Sequence, residues 1–462
     1  MRKTLLLVCL MALLLVPTAA FAQDDVLASR TACADGVDLT GQTINLYHFG
    51  DLSGSYSFIT QPLLAGFEDA AKFYNENGGI CGATIGQVFE DTVGVQDATQ
   101  AVYDRFSTEN PKPVLFLLYA SADAELLREQ LAEAEIPVLL SAGSAEGLYG
   151  PDGQQPGWIF ATNPLYTDQL GAFCDYIAAN PDQYPNPVIG HISWEGAFGR
   201  SADTADARAY CEAAGVGYAG AEYFLPTATD ISGQIQNLLD NGANILYTNS
   251  LASGPALVAG TVVNMGIEDQ VTVGGVNWAL DTSVGLLGQG TFGSDGLPST
   301  NGIIGSLPFR WWSETSHPGI AQITASADEN SRPAQVRNIA YILAWTNMDT
   351  YIEAYIRTGN RDGFDNVTGS GLRDTLAEMQ YETVAGVQNI DFSNDLRALS
   401  ANRIAQLAYL GQDGVSPASA DNPPMVVAAG DQQFLVPILV PLTEFAPAPD
   451  LRPGGADVPD AQ

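Results

Sequence analysis

Apolar positions along the chain follow two alternating rhythms. Residues 43–49, TINLYHF, make an apolar run of strand length. Residues 62–77, PLLAGFEDAAKFYNEN, instead place Leu63, Phe67, Ala70, Ala71 and Tyr74 on one helical face, with Pro62 suited to a first turn and Gly78-Gly79 as a stop. The alternation runs on through strand 84–90, helix 96–108, strand 113–119, helix 123–134 and strand 136–140. Strands and helices that alternate in this way predict a parallel sheet covered on both faces.

A second unit of similar size begins after residue 165. Helix 166–179 leads to strand 187–194, helix 200–214, strand 217–225, helix 231–240, strand 244–249, helix 254–265 and strand 271–276. The expected fold class is therefore α/β, with two doubly wound parallel-sheet lobes. Residues 281–300 are Gly-rich and read as loop, and 302–309 as a further strand. A long helix over 334–359 carries Ile339, Ile342, Leu343, Thr346, Tyr351, Ile352 and Tyr355 near one stripe. Residues 425–445 read as two strands around a turn at Gly430-Asp431. The tail, 447–462, is rich in Pro, Gly and Asp and is predicted to be disordered.

The stretch FLPTATDISGQIQNLLDNGANILYTN (224–249) holds a cluster of Thr227, Thr229 and Asp230 that could suggest chemistry. Its position argues for structure. Asp230 or Thr229 precedes the stripe Ile231, Ile235, Leu238 and Leu239 and can accept the open N–H groups of a helix start. Asp230→Ala is thus expected mainly to lower stability.

Composition adds location and charge. A chain of 462 residues accommodates two or three domains. Arg2 and Lys3, the run LLLVCLMALLLV and the small-x-small site Ala20-Phe21-Ala22 read as a secretory signal peptide, residues 1–22, cleaved after Ala22. No cysteine follows the apolar run directly, so a soluble periplasmic or extracellular protein is expected. Cleavage removes Arg2 and Lys3 and no acid, taking the net charge from −35 to −37. Such a surface repels phosphate backbones, which argues against nucleic acid as a partner. Cys33, Cys81, Cys174 and Cys211 remain after cleavage. An even set in an exported chain favours disulfides, with three connectivities open. Cys33–Cys81 with Cys174–Cys211 is preferred because each bond then stays within one half.

Signatures of catalysis are sparse. His48, His191 and His317 lie far apart, and no Cys-x-x-Cys, Gly-x-Ser-x-Gly or P-loop exists. Gly215, Gly217 and Gly220 match Gly-x-Gly-x-x-Gly, but they follow a helix and open a strand, the reverse of a phosphate cradle. Glu90, Asp91 and Asp97 read as loop solvation and capping. No enzyme activity, cofactor or metal is expected.

The loops at the predicted C-terminal strand ends are more informative, because open α/β sheets bind ligands there. They read GDLSGSYSF, ASADA, SAGSAEG, EGAFGRS, SLASG and NWALD. Small hydroxyl residues and glycines leave backbone N–H groups accessible at helix starts, which suits a carboxylate or other polar acceptor. Tyr56, Phe58, Trp194, Phe198 and Trp278 could wall in such a ligand.

With DLSGSY, NENGGICG, FGRS and the 224–249 stretch in this order, the chain resembles the periplasmic solute-binding proteins of ABC transporters, of the branched-chain amino acid type, over roughly 41–445. The resemblance implies a type I periplasmic binding fold with a multi-crossover hinge. Lobe 1 would take 41–165 and about 300–395, and lobe 2 would take 166–299 and about 396–446. It implies that Ser121, Ala122, Ser141, Gly143 and Ser144 hold a ligand carboxylate, with Tyr56 or Phe58 beside them. Phe198, Asn249, Leu251, Asn277 and Trp278 would face them from lobe 2. Ser144→Ala would then weaken binding. Where amino acid binders of this type carry an acid for the ammonium, this sequence has Asn277 and Trp278; Glu195 and Asp281 are nearby but not in register. The implied partners are a small polar solute (an amino acid, amide, urea or organic acid) and a membrane ABC permease, for a monomeric protein. A soluble module feeding a sensor is the alternative.

Overall fold

The computed structural model describes residues 17–141, 143–429 and 432–459. The first sheet contains β1 (Thr43–Gly50), β2 (Thr84–Asp91), β3 (Phe116–Leu118), β4 (Val138–Leu140) and β5 (Ile159–Ala161), all parallel, in the order β2-β1-β3-β4-β5. β3, β4 and β5 are apolar throughout and wholly buried, as strands covered on both faces are.

The chain then supplies β6 (Val188–Trp194), β7 (Gly217–Phe224), β8 (Ile245–Thr248), β9 (Thr272–Gly275) and β10 (Ile304–Ser306). Further on come β11 (Gln380–Thr383), β12 (Gln388–Asp391), β13 (Ala401–Asn402), β14 (Ile404–Tyr409), β15 (Val426–Ala429), β16 (Gln432–Leu435), β17 (Pro437–Pro441) and β18 (Ala446–Pro447). The second sheet has the order β17-β14-β10-β9-β8-β6-β7, with β6 to β10 parallel and β14 and β17 antiparallel. The two-lobed α/β architecture is therefore as expected. β15 and β16 pair as the 425–445 pattern suggested, while the turn at Gly430-Asp431 lies outside the described residues.

The segment 281–300, read as loop, contains a helix, Thr282–Leu287, and β5 falls where no element was expected. Three further details depart from the sequence reading. First, β10 was placed in lobe 1 by the boundary at about 300, but it bonds β9 in the second sheet, so the crossover comes after Ser306. Second, the first long helix runs Ser57–Glu76, not 62–77, and Pro62 lies inside it. The N–H that proline lacks would have bonded the Phe58 carbonyl one turn back, so the helix gives up a single bond near its start. Third, the tail is ordered as far as residue 459. β18 pairs with β13, and Leu451 is fully buried with its N–H on the Asp168 carboxylate, 2.9 Å. Arg452 lies over the Tyr149 ring, and Gln154 donates to the Pro453 carbonyl at 2.5 Å. The tail thus touches both the 149–154 segment of the first lobe and the helix Tyr166–Ala179 of the second. Composition alone missed this because pinning comes from a few distant partners. Residues 460–462 lie outside the described residues.

The helix Ile339–Asp362 packs along the helix Ser57–Glu76. Gly66 permits the contact: a Cβ there would lie 2.7 Å from the Ala344 side chain and from the Tyr341 carbonyl. The predicted signal peptide falls largely outside the described residues. A helix Pro17–Ala28 spans the expected cleavage point, and Val26, beyond that point, is fully buried. Arg30 then pairs with buried Asp349 at 2.7 Å and lies over the Tyr74 ring. Both preferred disulfides are present, Cys33–Cys81 and Cys174–Cys211. Among the described residues, no helix is long and apolar enough to cross a membrane.

Candidate functional site

A cavity of about 190 Å³ lies where the C-terminal ends of the two sheets face each other. The first lobe contributes Asp51 and Tyr56 after β1, and Ile59, Thr60 and Leu63 from the helix that follows. It adds Thr92, Gly94 and Gln96 after β2, the segment Tyr119–Asp123 after β3, and Ser141 after β4. The second lobe contributes Glu195–Phe198 after β6, Leu251 after β8 and Trp278 after β9. Tyr166, at the start of the helix Tyr166–Ala179, also lines the cavity. Aromatic rings meet across the gap where Tyr56 stands edge-on to Trp194 at 5.9 Å, and within the second lobe Tyr166 stands edge-on to Phe198 at 5.2 Å. The first contact joins the two lobes beside the cavity.

The polar end is the start of the helix Ser121–Ala134. Its N-cap is Ala120, whose side chain cannot accept a hydrogen bond, so the first N–H groups point at the cavity without a side-chain cap. The Ser121 hydroxyl is 2% exposed and has no hydrogen-bond partner. An open helix start with a free hydroxyl is a ready site for a polar acceptor. Asp123 lies in the first turn of the same helix and accepts from the Thr99 hydroxyl at 3.0 Å. Burial pushes its carboxyl up to about 6, and the nearby Asp51 charge adds to this. Tyr56 and Tyr166 are both raised, chiefly by burial. The Trp278 indole N–H donates to the Tyr166 hydroxyl at 3.1 Å, tying the loop after β9 to the hinge.

Of the residues expected to bind, Tyr56, Ser121, Ala122, Ser141, Phe198, Leu251 and Trp278 line the cavity. Five others do not. Phe58 sits in the first turn of the helix Ser57–Glu76 and packs on the core. Gly143 is closed in by Leu148, which a Cβ would meet at 2.5 Å. The Ser144 hydroxyl accepts from the Gly147 N–H and donates to Glu125 at 2.6 Å, capping the helix Ala145–Tyr149. Asn249 is buried and donates to the Phe198 carbonyl at 2.7 Å, supporting the loop behind the cavity. Asn277 is buried under the loop, its N–H on Gln169 at 2.8 Å. Of the two acids near that loop, Glu195 lines the cavity, whereas Asp281 caps the helix Thr282–Leu287 and receives the Ile339 N–H.

Other candidates take structural places. His48 is fully buried against the Tyr119 hydroxyl and stays neutral, lowered to about 3 by burial. His191 binds the Gly199 carbonyl. Asp91 accepts the Leu52 and Val93 N–H groups and the Ser53 hydroxyl, and Glu90 pairs with Arg105. Sequence reasoning missed Asp51, Thr92, Gln96, Tyr119, Asp123 and Tyr166. Asp123 stood inside the loop already singled out, but nothing in the sequence said which way it faced.

The model of a family described as periplasmic binding protein matches residues 43–414. The chain belongs to that family. Three solved structures show how its members share this fold. A branched-chain amino acid ABC transporter protein from Thermus thermophilus with bound valine aligns at TM-score 0.70 and 19% identity, covering 89% of this chain and 98% of that one. A fatty acid ABC transporter substrate-binding protein from Thermomonospora curvata aligns at 0.68 and 16%, covering 92% and 97%. A solute-binding protein of an ABC transporter from R. palustris, in complex with 4-hydroxybenzoate, aligns at 0.64 and 16%, covering 81% and 95%. No curated protein sequence matches the chain. The chain is thus a type I periplasmic binding protein, and its cavity lies in the cleft between the two lobes of that fold.

Proposed function

We propose that this periplasmic binding protein is the extracytoplasmic solute-binding component of an ABC importer. It captures one small polar solute between its lobes by hinge closure and presents the closed form to a membrane permease. The observation that carries the reading is the cleft cavity, with the unpartnered Ser121 hydroxyl at an uncapped helix start and aromatic rings from both lobes around it. A volume of about 190 Å³ suits a solute of amino acid size, since pockets for drug-sized ligands run about 300–1,000 Å³. Branched-chain and other amino acids, amides, ureas and small organic acids fall in this range. Ser121, Ala122 and Ser141 would take the polar end, and Tyr56, Leu63, Phe198 and Trp278 the apolar body. Nothing in the cavity is arranged as a nucleophile with its base, so capture rather than turnover is the function it supports.

The experiment is a thermal-shift panel of such solutes on the purified mature protein, followed by calorimetry on the hits. A ligand at about one hundred times its Kd stabilises by roughly 2.7 kcal/mol. One or a few solutes should raise the melting temperature, and Ser121→Ala should weaken them. If no small solute shifts melting and native mass spectrometry finds none carried through purification, the reading fails.

A further inference from the structure

The charges around the cavity say more about the solute than its shape does. The charged residues lining it are Asp51, Asp123 and Glu195; no Lys, Arg or His joins them. Asp123 is 8% exposed, and its one hydrogen bond, from Thr99, uses a single oxygen. Asp51 is also buried and accepts the Gly54 and Tyr56 N–H groups, which are neutral. Among the described residues, no cationic side chain pairs with either carboxylate. Two tyrosine hydroxyls nearby are already occupied: that of Tyr119 meets neutral His48, and that of Tyr166 receives the Trp278 N–H. The unpartnered hydroxyls in the lining, Ser121 and Thr92, are neutral and cannot compensate a charge as a cation would. A buried charge in a protein is normally paired. Here two face one enclosed space together with the Tyr56 ring, whose hydroxyl feels both.

Resting on the solute-binding reading, we infer that the bound solute carries a positively charged nitrogen, held from the first lobe by Asp123, with Asp51 and the face of Tyr56 beside it. An ammonium would pair with the free Asp123 oxygen and lie against the aromatic wall, where rings attract cations. The Ser121 hydroxyl and the open helix start would take an oxygen of the same molecule, a carboxylate or a hydroxyl. The chemical class is therefore an amino acid, amino alcohol or small amine with an apolar arm. A solute whose only charge is negative would meet these carboxylates without compensation. Exposed Glu195 at the mouth adds to the field that draws cations inward.

Sets of matched solutes test this: leucine, 3-methylbutylamine and 3-methylbutanoate, and phenylalanine, phenethylamine and 3-phenylpropanoate, within a wider panel sorted by charge. Calorimetry is run on the full mature protein and on Asp123→Asn and Asp51→Asn. The solutes that bind should all carry an ammonium, and Asp123→Asn should weaken them about thirtyfold or more, as loss of one partner of a buried charge pair does. Asp51→Asn should weaken them less, which covers the case of a misfolded first variant. Binding confined to neutral or purely anionic solutes, or an ammonium ligand indifferent to both substitutions, overturns the inference and leaves the solute-binding function standing. Failure of every solute overturns both.

Discussion

Asp123→Asn should make the empty protein more stable at neutral pH and leave it almost unchanged near pH 4. Burial lifts the Asp123 carboxyl from 3.8 to about 6, with the Thr99 hydroxyl pulling the other way. An acid whose native value lies above its unfolded value loses its proton first in the unfolded chain. Stability therefore falls as pH rises from about 4 to about 6 and stays at the lower level above that. A gap of roughly two pH units, at about 1.4 kcal/mol each, amounts to about 3 kcal/mol. Asn has the same outline, can still accept from Thr99, and carries no charge to desolvate. We expect a gain of about 1–3 kcal/mol at about pH 7.5 and close to none at about pH 4. Urea unfolding followed by circular dichroism at both pH values, with the slopes compared, measures it. An equal gain at both pH values, or a loss at the higher one, would refute the claim that this carboxylate sits charged and uncompensated in the empty cleft. The same substitution that stabilises the fold should cost affinity, the trade expected of a residue kept for binding.

Removing Arg30 should be costly. Asp349 is fully buried, and among the described residues its partners apart from Arg30 are the Tyr381 hydroxyl and the Val384 N–H. Arg30→Met should destabilise by about 3–5 kcal/mol in urea titrations, and adding Asp349→Asn should recover part of that. Exposed Asp230, two residues before the helix Ser232–Asp240, accepts the Ser232 N–H at 3.0 Å, so Asp230→Ala should lower the urea midpoint slightly without changing affinity. Ser144→Ala, first expected to weaken binding, should instead lower stability by about 1 kcal/mol through the lost cap, with affinity unchanged. An affinity loss in Ser144→Ala but none in Ser121→Ala would reverse the placement of the polar end.

The lobes were legible because their evidence is local. Apolar runs at strand length and stripes at helical spacing mark β1 to β4, β6 to β9 and most of the intervening helices, whereas β5, three residues long, gave no such pattern. Loops at strand ends could also be named, since topology puts them in one cleft, and seven of the twelve residues expected there do line the cavity. What could not be read is orientation within a loop. Ser144 and Ser121 look alike in sequence, yet one hydroxyl is used by its own helix and the other is free. Leu63 read as an ordinary helix position, and Ile59 and Thr60 as residues ahead of a helix that in fact begins five residues before its proline. The tail and the loss of β10 to the second sheet were equally hidden. Each depends on partners far away in the chain, about which no local pattern speaks.

Those distant partners bear on the order in which the protein can fold. Arg30 finds Asp349 319 residues later, and the Leu451 N–H finds Asp168 283 residues earlier. The first lobe lacks one of its covering helices until residues 339–362 exist, and the back of the hinge is bare until the last residues arrive. Contacts of such separation close slowly, because the chain entropy between them must be lost first. A growing chain therefore has no complete lobe to settle into before nearly all of it has been made. For a protein expected to leave the cell interior as an extended thread, that delay keeps the thread loose until it is across.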